Sequence, residues 1–307
     1  MAGKTHFPAT GAYRWAQFLS FYFDGATTGN VWFVNSATGT DSTGFGSSPE
    51  APFASINYAV GQCVANNGDR VYVMPGHAET VAAGGTLALA TAGVEVVGLG
   101  VGSNRPTITL AGTASTIPVS AANVTLRNVI VKVSITEVVS CFNVTAPFCT
   151  LDRVDFVETT SKKLIQFLVT SALGTDLVIS NCKHHQGVAP VANSLWIQLI
   201  GADRAKITGN QFFLTTTNSA SSSVIESDTT APANILIANN WIVQLGGASV
   251  IPVKLVAATS GFVANNTVAS PKMTIAGSIA CASCYAAGNL AGHVVNTSGI
   301  LEPAADA

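Results

Sequence analysis

The chain has 307 residues with a formal net charge of −2; 48% of the residues are hydrophobic and only 10% are charged. Ordinary soluble domains contain about 25% charged residues, so we expect a surface rich in Ser, Thr, Asn, Gly and Ala, or one that is covered in an assembly. No basic cluster exceeds Lys162–Lys163, which argues against nucleic-acid binding. No apolar run reaches the roughly 18 residues of a membrane span.

Residues 1–30 are predicted to form an N-terminal arm outside the main fold. The arm concentrates aromatic side chains that a narrow rod cannot bury, namely Tyr13, Trp15, Phe18, Phe21, Tyr22 and Phe23. One hypothesis is that the arm docks on a partner or sister subunit; the other is that it folds back on the main domain. The first 23 residues contain neither an apolar signal core nor a small-residue cleavage site, which favours synthesis in the cytoplasm without secretion.

Residues 31–66 are predicted to be a separate opening module. VWFVN, starting at Val31, has the composition of a strand, and a Gly- and Pro-containing loop follows it. Between Ser55 and Ala65 apolar residues recur at helical spacing. We expect this short helix to cover the open end of the next domain, because a repeat protein needs a cap over its apolar core.

Residues 67–295 contain an internal repeat of 23 to 30 residues. Its clear copies begin at Leu126, Leu151, Ile179, Ile207, Ile237, Val263 and Ala286, and weaker copies begin at Val73 and Val96. Each clear copy begins with an aliphatic residue, or with alanine in the last copy. Two positions later comes a residue that tolerates positive φ in all copies except that of Arg153, and a further inward residue follows two positions after the bend. This strand–bend–strand pattern predicts an all-β, single-stranded right-handed parallel β-helix of about nine rungs.

Four asparagines occupy the same position in successive repeats: Asn210, Asn240, Asn266 and Asn289. In stacked rungs they are expected to hydrogen-bond one another, although asparagine also favours turns in general. The ladder and the loop-helix opening resemble the pectate-lyase-like right-handed parallel β-helix family, over about residues 31–295. The resemblance is specific for the fold and weak for activity, because this fold supports many functions. Members of this kind occur in bacteriophage spike and capsid decoration proteins.

The remaining features give little sign of a cofactor. Residues 296–307 are predicted to be a polar, loose tail. The six cysteines have no disulfide-like spacing, and the CxxC pair of Cys281 and Cys284 lacks a second pair, so buried small side chains are the favoured interpretation. We therefore expect no metal and no cofactor.

Catalytic candidates are few. Asp155 and Lys183 occupy the same outward repeat position. Glu226 and Asp228 are predicted to lie in a Ser/Thr-rich loop from Asn218 to Thr230, where they could face a ligand. Sugar hydrolysis needs two carboxyl groups that face one bond. The alternative for Asp155 and Lys183 is a surface ion pair of little energetic value, and His184 falls at an inward position where a core histidine is commoner than a catalyst. These signals do not favour an enzyme.

The favoured function is structural: a virion protein, specifically a bacteriophage capsid decoration or cement protein that forms homotrimeric β-helical protrusions. The expected partners are sister subunits and the major capsid protein or another virion protein. The inter-subunit seam is predicted to use outward apolar residues, namely Ile130, Phe213, Trp241 and Val243. Packing rods side by side would account for the scarcity of surface charge.

Two alternatives remain. The first is a tailspike-like trimer that binds or cleaves host surface polysaccharide. The second is a secreted pectin-lyase-like enzyme, which the missing signal peptide and sparse acids make the least favoured of the three.

Overall fold

The protein is an all-β, right-handed parallel β-helix of about seven turns with little helix. The computed structural model describes residues 27, 29–158, 163–185, 196–214, 223–227, 230–244, 251–270, 278–293 and 302–303. Within these residues no helix has the length and hydropathy that crossing a bilayer would require. The chain winds through three sheets in turn, and every strand pair described is parallel except the last pair of sheet II.

Sheets I and II each contain ten strands, numbered here in chain order. Sheet I consists of β1 (Val31–Val34), β2 (Arg70–Val73), β4 (Glu95–Gly98), β7 (Thr125–Arg127), β10 (Thr150–Asp152), β13 (Val178–Ser180), β16 (Lys206–Thr208), β19 (Ile235–Ala238), β22 (Gly261–Ala264) and β25 (Cys284–Ala287). Sheet II consists of β3 (Ala78–Val81), β5 (Thr107–Leu110), β8 (Ile130–Val133), β11 (Asp155–Val157), β14 (Lys183–His185), β17 (Gln211–Leu214), β20 (Trp241–Gln244), β23 (Thr267–Ser270), β26 (Leu290–His293) and β27 (Glu302–Pro303).

Sheet III contains seven strands and closes each turn. It consists of β6 (Ile117–Val119), β9 (Glu137–Val144), β12 (Lys163–Thr170), β15 (Ile197–Leu199), β18 (Ile225–Ser227), β21 (Val253–Leu255) and β24 (Ile279–Cys281). Alternate residues of all three sheets point into one continuous apolar core. Its largest fully buried side chains include Trp196, Phe142, Phe167 and Phe212.

The repeats beginning at Leu126 and later stack in register. Leu126 pairs with Leu151, Leu151 with Ile179, and the pairing continues in the same register to Ala286. The assignment of a repeat to Val73 is wrong by two residues, because Val71 is the residue that pairs with Val96. The connections after β2 and β4 also differ from the later short bends, and the second of them contains a 3-10 turn at Gly102–Asn104.

The opening module begins with β1, which pairs with β2. Helix α1 (Ile56–Gln62) follows, and Ser55 is its N-cap, since the Ser55 hydroxyl accepts a hydrogen bond from the Tyr58 amide at 3.2 Å. The helix packs against β1 and β2 and buries Ile56, Ala59 and Val60. The apolar side of the helix, which the spacing predicted, thus faces the core of the first turns.

Candidate functional site

The corner between sheets I and II is a bend of only two residues, repeated seven times from 128–129 to 288–289. The first bend residue has positive φ in every copy, at Asn128, Arg153, Asn181, Gly209, Asn239, Asn265 and Gly288. Asparagine and glycine adopt this conformation readily, whereas arginine adopts it at some cost. Because all seven bends have one length, the outward residues of both sheets form straight columns along the rod.

Asn210, Asn240, Asn266 and Asn289 are the second residues of the last four bends, and all four are buried. Each side chain donates to the next in the series at 2.9 Å, from Nδ2 of Asn210 to Oδ1 of Asn240, and so on to Asn289. Each Nδ2 also donates to a backbone carbonyl of the preceding turn, such as that of Ile207 for Asn240. Each Oδ1 accepts the amide of the preceding bend, beginning with Cys182 N at 2.9 Å. These buried polar groups are therefore satisfied by one another.

Sheet III carries a polar column on its outer face. Gln166 Nε2 donates to Gln198 Oε1 at 2.9 Å, and Lys254 Nζ donates to Glu226 Oε1 at 2.8 Å. The register places Gln198 beside Glu226, and Glu226 beside Lys254. We call Gln166, Gln198, Glu226 and Lys254 the polar column.

The connections from sheet II to sheet III are longer after β14 than before it. From β14 onward, the chain uses 8 to 11 residues between each strand of sheet II and the next strand of sheet III. Loops on a repeat scaffold commonly carry binding functions. The strands that carry Gln198, Glu226 and Lys254 each follow one of these longer connections.

The chemistry of the polar column is that of hydrogen bonding. Glu226 was predicted to lie in a loop, but it lies on strand β18. It is ion-paired with Lys254, and its neighbour in the other direction is the Gln198 amide. Neither adjacent position supplies the second carboxyl group that glycoside hydrolysis requires. Asp228, the other candidate nearby, lies outside the described residues.

Asp155 and Lys183 are cross-strand neighbours on sheet II. Asp155 forms an ion pair with Arg105, whose guanidinium Nη2 donates a hydrogen bond to Asp155 Oδ2. Arg105 was not identified from the sequence, because it lies 50 residues from Asp155 and precedes the regular repeats. Because Asp155 is engaged by Arg105, its carboxylate has a structural role in this ion pair.

Ile130 does not belong to an exposed seam. Ile130 occupies an outward repeat position, but it is only 6% exposed. The prediction that it forms an exposed seam with Trp241 is therefore wrong. Its strand β8 lies between β5, which follows Arg105, and β11, which begins at Asp155. The Arg105 side chain reaches Asp155 across the start of β8, where Ile130 lies.

The other three seam candidates do form a surface. Phe213 pairs with Val243 in the register of sheet II, and the rings of Phe213 and Trp241 lie edge-to-face with centroids 5.1 Å apart. Trp241 is 52% exposed. A cluster of this kind on a charge-poor surface is typical of a contact site.

Sheet I carries a second exposed aromatic pair that the sequence interpretation missed. Phe262 and Tyr285 are neighbours in register, 57% and 74% exposed, and their rings stack with centroids 5.4 Å apart. The sequence did contain a signal for this pair, namely the position of its residues within the repeat. Leu236, Phe262 and Tyr285 each directly precede the first aliphatic residue of a repeat, so they had to share one outward column.

A buried polar cluster lies inside the core where β14 faces β15. His184 is 1% exposed, and its ring stacks on Trp196 with centroids 3.5 Å apart. His184 Nε2 lies 3.5 Å from Glu158 Oε1, which is too long for a strong hydrogen bond. Among the described residues, four buried atoms of this cluster have no hydrogen-bond partner: both ring nitrogens of His184, Trp196 Nε1 and Glu158 Oε2. Burial lowers the pKa of His184, and the Glu158 carboxylate opposes that shift.

The cysteines do not provide a nucleophile. Burial raises the pKa of Cys63 and of Cys182 to about 12, and burial with the nearby Cys281 raises that of Cys284 to about 11. Thiols held in the neutral form are poor nucleophiles and poor metal ligands. In the part of the chain that the structure describes, no three His, Cys, Asp or Glu side chains converge as a metal site would require.

The predicted docking residues and one lysine of the basic pair lie outside the described part of the chain. The residues concerned are Tyr13, Trp15, Phe18, Phe21, Tyr22 and Phe23, together with Lys162.

Comparisons with known proteins support the fold. No protein-family model matches the chain, and no curated protein matches it in sequence. Among solved structures, a rhamnogalacturonan lyase superposes with a TM-score of 0.51 at 16% sequence identity, over 79% of this chain and 69% of the lyase. Identity this low carries the fold and not the activity. The protein is thus a parallel β-helix of the pectate-lyase-like fold.

Proposed function

We propose that the protein is a virion structural protein, a bacteriophage capsid decoration or cement protein that forms trimeric β-helical protrusions. The observation that carries the proposal is the exposed apolar surface around Trp241 and Phe213 on a rod with only 10% charged residues. A solitary soluble rod rarely keeps such a surface in water. Side-by-side packing of sister subunits would bury it.

The proposal also assigns a role to the N-terminal end of the rod. We propose that α1 is the cap over the first turn, and that the β2–β3 and β4–β5 pairs are incomplete rungs that bring the total to about nine. We further propose that residues 1–30 dock on the major capsid protein or another virion protein, since aromatic side chains are enriched in protein interfaces. A protein that bridges coat subunits stabilises the shell by mass action.

The first test is the native mass of the purified protein, measured by sedimentation and native mass spectrometry. We expect about three times the chain mass of 31.4 kDa. The second test is the copy number in purified particles, which should approach that of the coat subunits or a simple fraction of it. A stoichiometry of only a few copies per virion would contradict the decoration role.

The polar column supports a second candidate function, the binding of a surface polysaccharide. Amide, carboxylate and ammonium groups spaced by one rung offer repeated hydrogen bonds to the hydroxyl groups of a glycan laid along the rod. The ion pair of Glu226 favours binding over cleavage.

Binding can be tested with the pair Glu226→Gln and Asp176→Asn. Asp176 is the matched control, because it pairs with Arg204 at 2.7 Å on another part of the surface with similar exposure. If the candidate is correct, host polysaccharide is retained by the wild type and by Asp176→Asn, and Glu226→Gln weakens retention about tenfold, as the loss of a charged hydrogen bond predicts. Absence of retention by the wild type would rule it out.

A further inference from the structure

The outer faces of sheets I and II meet at the two-residue corner, and both are apolar in the same half of the rod. The Tyr285 face belongs to sheet I and consists of Leu236, Phe262 and Tyr285 with the neighbouring column Ala238, Ala264 and Ala287. The Trp241 face belongs to sheet II and consists of Phe213, Trp241, Val243, Ala269 and Leu290, with Thr267 between Trp241 and Leu290. Only the bends at 239–240, 265–266 and 288–289 separate them.

Charge is segregated along the same columns. In the first half of sheet I the outward residues include two ion pairs, with Arg70 Nε 2.8 Å from Glu95 Oε2 and Arg127 Nε 3.5 Å from Asp152 Oδ2. In the first half of sheet II, Arg105 bonds Asp155, and Lys183 is exposed. From β19 on sheet I and β20 on sheet II, the outward residues are apolar or uncharged. The two apolar faces are therefore confined to one end of the rod.

The ring geometry argues against a sugar platform on the Tyr285 face. Sugars stack flat on exposed aromatic ring faces, whereas Phe262 and Tyr285 stack on each other at 25°. Their contact turns ring faces along the rod and presents ring edges beside a shallow column of alanines. This relief of large side chains next to small ones suits another packed protein surface.

Two different apolar faces on one corner are both covered only when each packs against another copy. A contact that pairs one face with itself leaves the other in water. A closed ring joins one face of each copy to the other face of the next and covers both. We infer that the Tyr285 face of one protomer packs against the Trp241 face of the next, with the corner directed at the rotation axis. This inference rests on the proposed homotrimer and names its interface.

In this arrangement Trp241 and Phe213 of one copy lie over the alanine column of its neighbour. Each copy contributes one of each face, so the ring leaves no apolar face open at that end. The charged halves of the rods are left toward solvent.

The test uses one broken face per variant. Phe262→Glu disables the Tyr285 face, and Trp241→Glu disables the Trp241 face. At a concentration where the wild type is a trimer, each variant alone should have about one third of the wild-type mass. An equimolar mixture should form a one-to-one dimer, because each variant keeps the face that the other lacks.

Control variants are Val139→Glu and Leu173→Glu, which add the same charge at apolar side chains that are 55% and 69% exposed away from the corner. Both should keep the wild-type mass. All four positions are exposed, and circular dichroism verifies that each variant is folded.

The outcomes separate the interface from the broader proposal. If either face variant alone still self-associates, or if the mixture stays monomeric up to about 100 μM, well above a micromolar dissociation constant, the face-to-face ring is wrong while a trimer through other surfaces survives. A monomeric wild type overturns both the ring and the trimer. The copy number in particles tests the virion role independently of these results.

Discussion

Replacing Asn240 with alanine is expected to lower the free energy of unfolding by about 3 to 5 kcal/mol. The side chain accepts from Asn210 N and donates to the Ile207 carbonyl and to Asn266 Oδ1. Alanine leaves the Asn210 amide and the Ile207 carbonyl buried without these partners. An unsatisfied buried group costs about 1 to 3 kcal/mol. Equilibrium unfolding in denaturant, followed by circular dichroism, measures the loss.

The matched control is Asn239→Gly, one residue earlier in the same bend. Asn239 is exposed and has a φ of +57°, a conformation that glycine adopts without strain. We expect a change within about 0.5 kcal/mol. If Asn240→Ala costs no more than Asn239→Gly, the hydrogen bonds between bends do not stabilise the rod.

The repeating part of the fold could be predicted because each turn obeys the same local constraints. A two-residue bend needs a residue that tolerates positive φ, and alternation in the flanking strands needs aliphatic residues at fixed offsets. These constraints identified the register from Leu126 onward. They fail earlier, where the connections after β2 and β4 are longer, and the repeat placed at Val73 was consequently shifted from Val71.

Contacts that cross several turns left no signal in the sequence. Arg105 reaches Asp155 over the intervening strand, and Ile130 on that strand is buried although its repeat position faces outward. An outward position is therefore not the same as an exposed one, since a long side chain from a neighbouring turn can cover it. The same ion pair with Arg105 makes Asp155 a weaker catalytic candidate than its sequence position suggested.

The Tyr285 face shows the opposite case, in which the signal existed. Leu236, Phe262 and Tyr285 share one repeat position, and any parallel stacking in register brings them together. Sequence interpretation concentrated on Trp241 and found one of the two apolar faces. Recognising both requires comparing columns along the rod and not residues within a turn.

The buried imidazole of His184 is expected to make the stability of the protein fall as the medium becomes acidic. Burial lowers the pKa of His184 in the folded state below its ordinary value of 6.5, with Glu158 opposing the shift and His185 adding to it. As the pH falls below 6.5, the unfolded chain binds a proton at this site and the folded protein does not. The free energy of unfolding then decreases by up to about 1.4 kcal/mol per pH unit, until the pH passes the lowered folded pKa.

The measurement is the free energy of unfolding between pH 8 and pH 5 for the wild type, His184→Phe and His185→Phe. Phenylalanine keeps the aromatic packing against Trp196 and removes the titrating group, so His184→Phe should lose much of the pH dependence. His185 is exposed and serves as the control for removing one imidazole. Because carboxylates also titrate toward pH 5, only the difference between the two variants reports on His184. Parallel pH profiles for the two variants would mean that the folded protein takes up the proton at His184 as easily as the unfolded chain does, with Glu158 compensating for the burial.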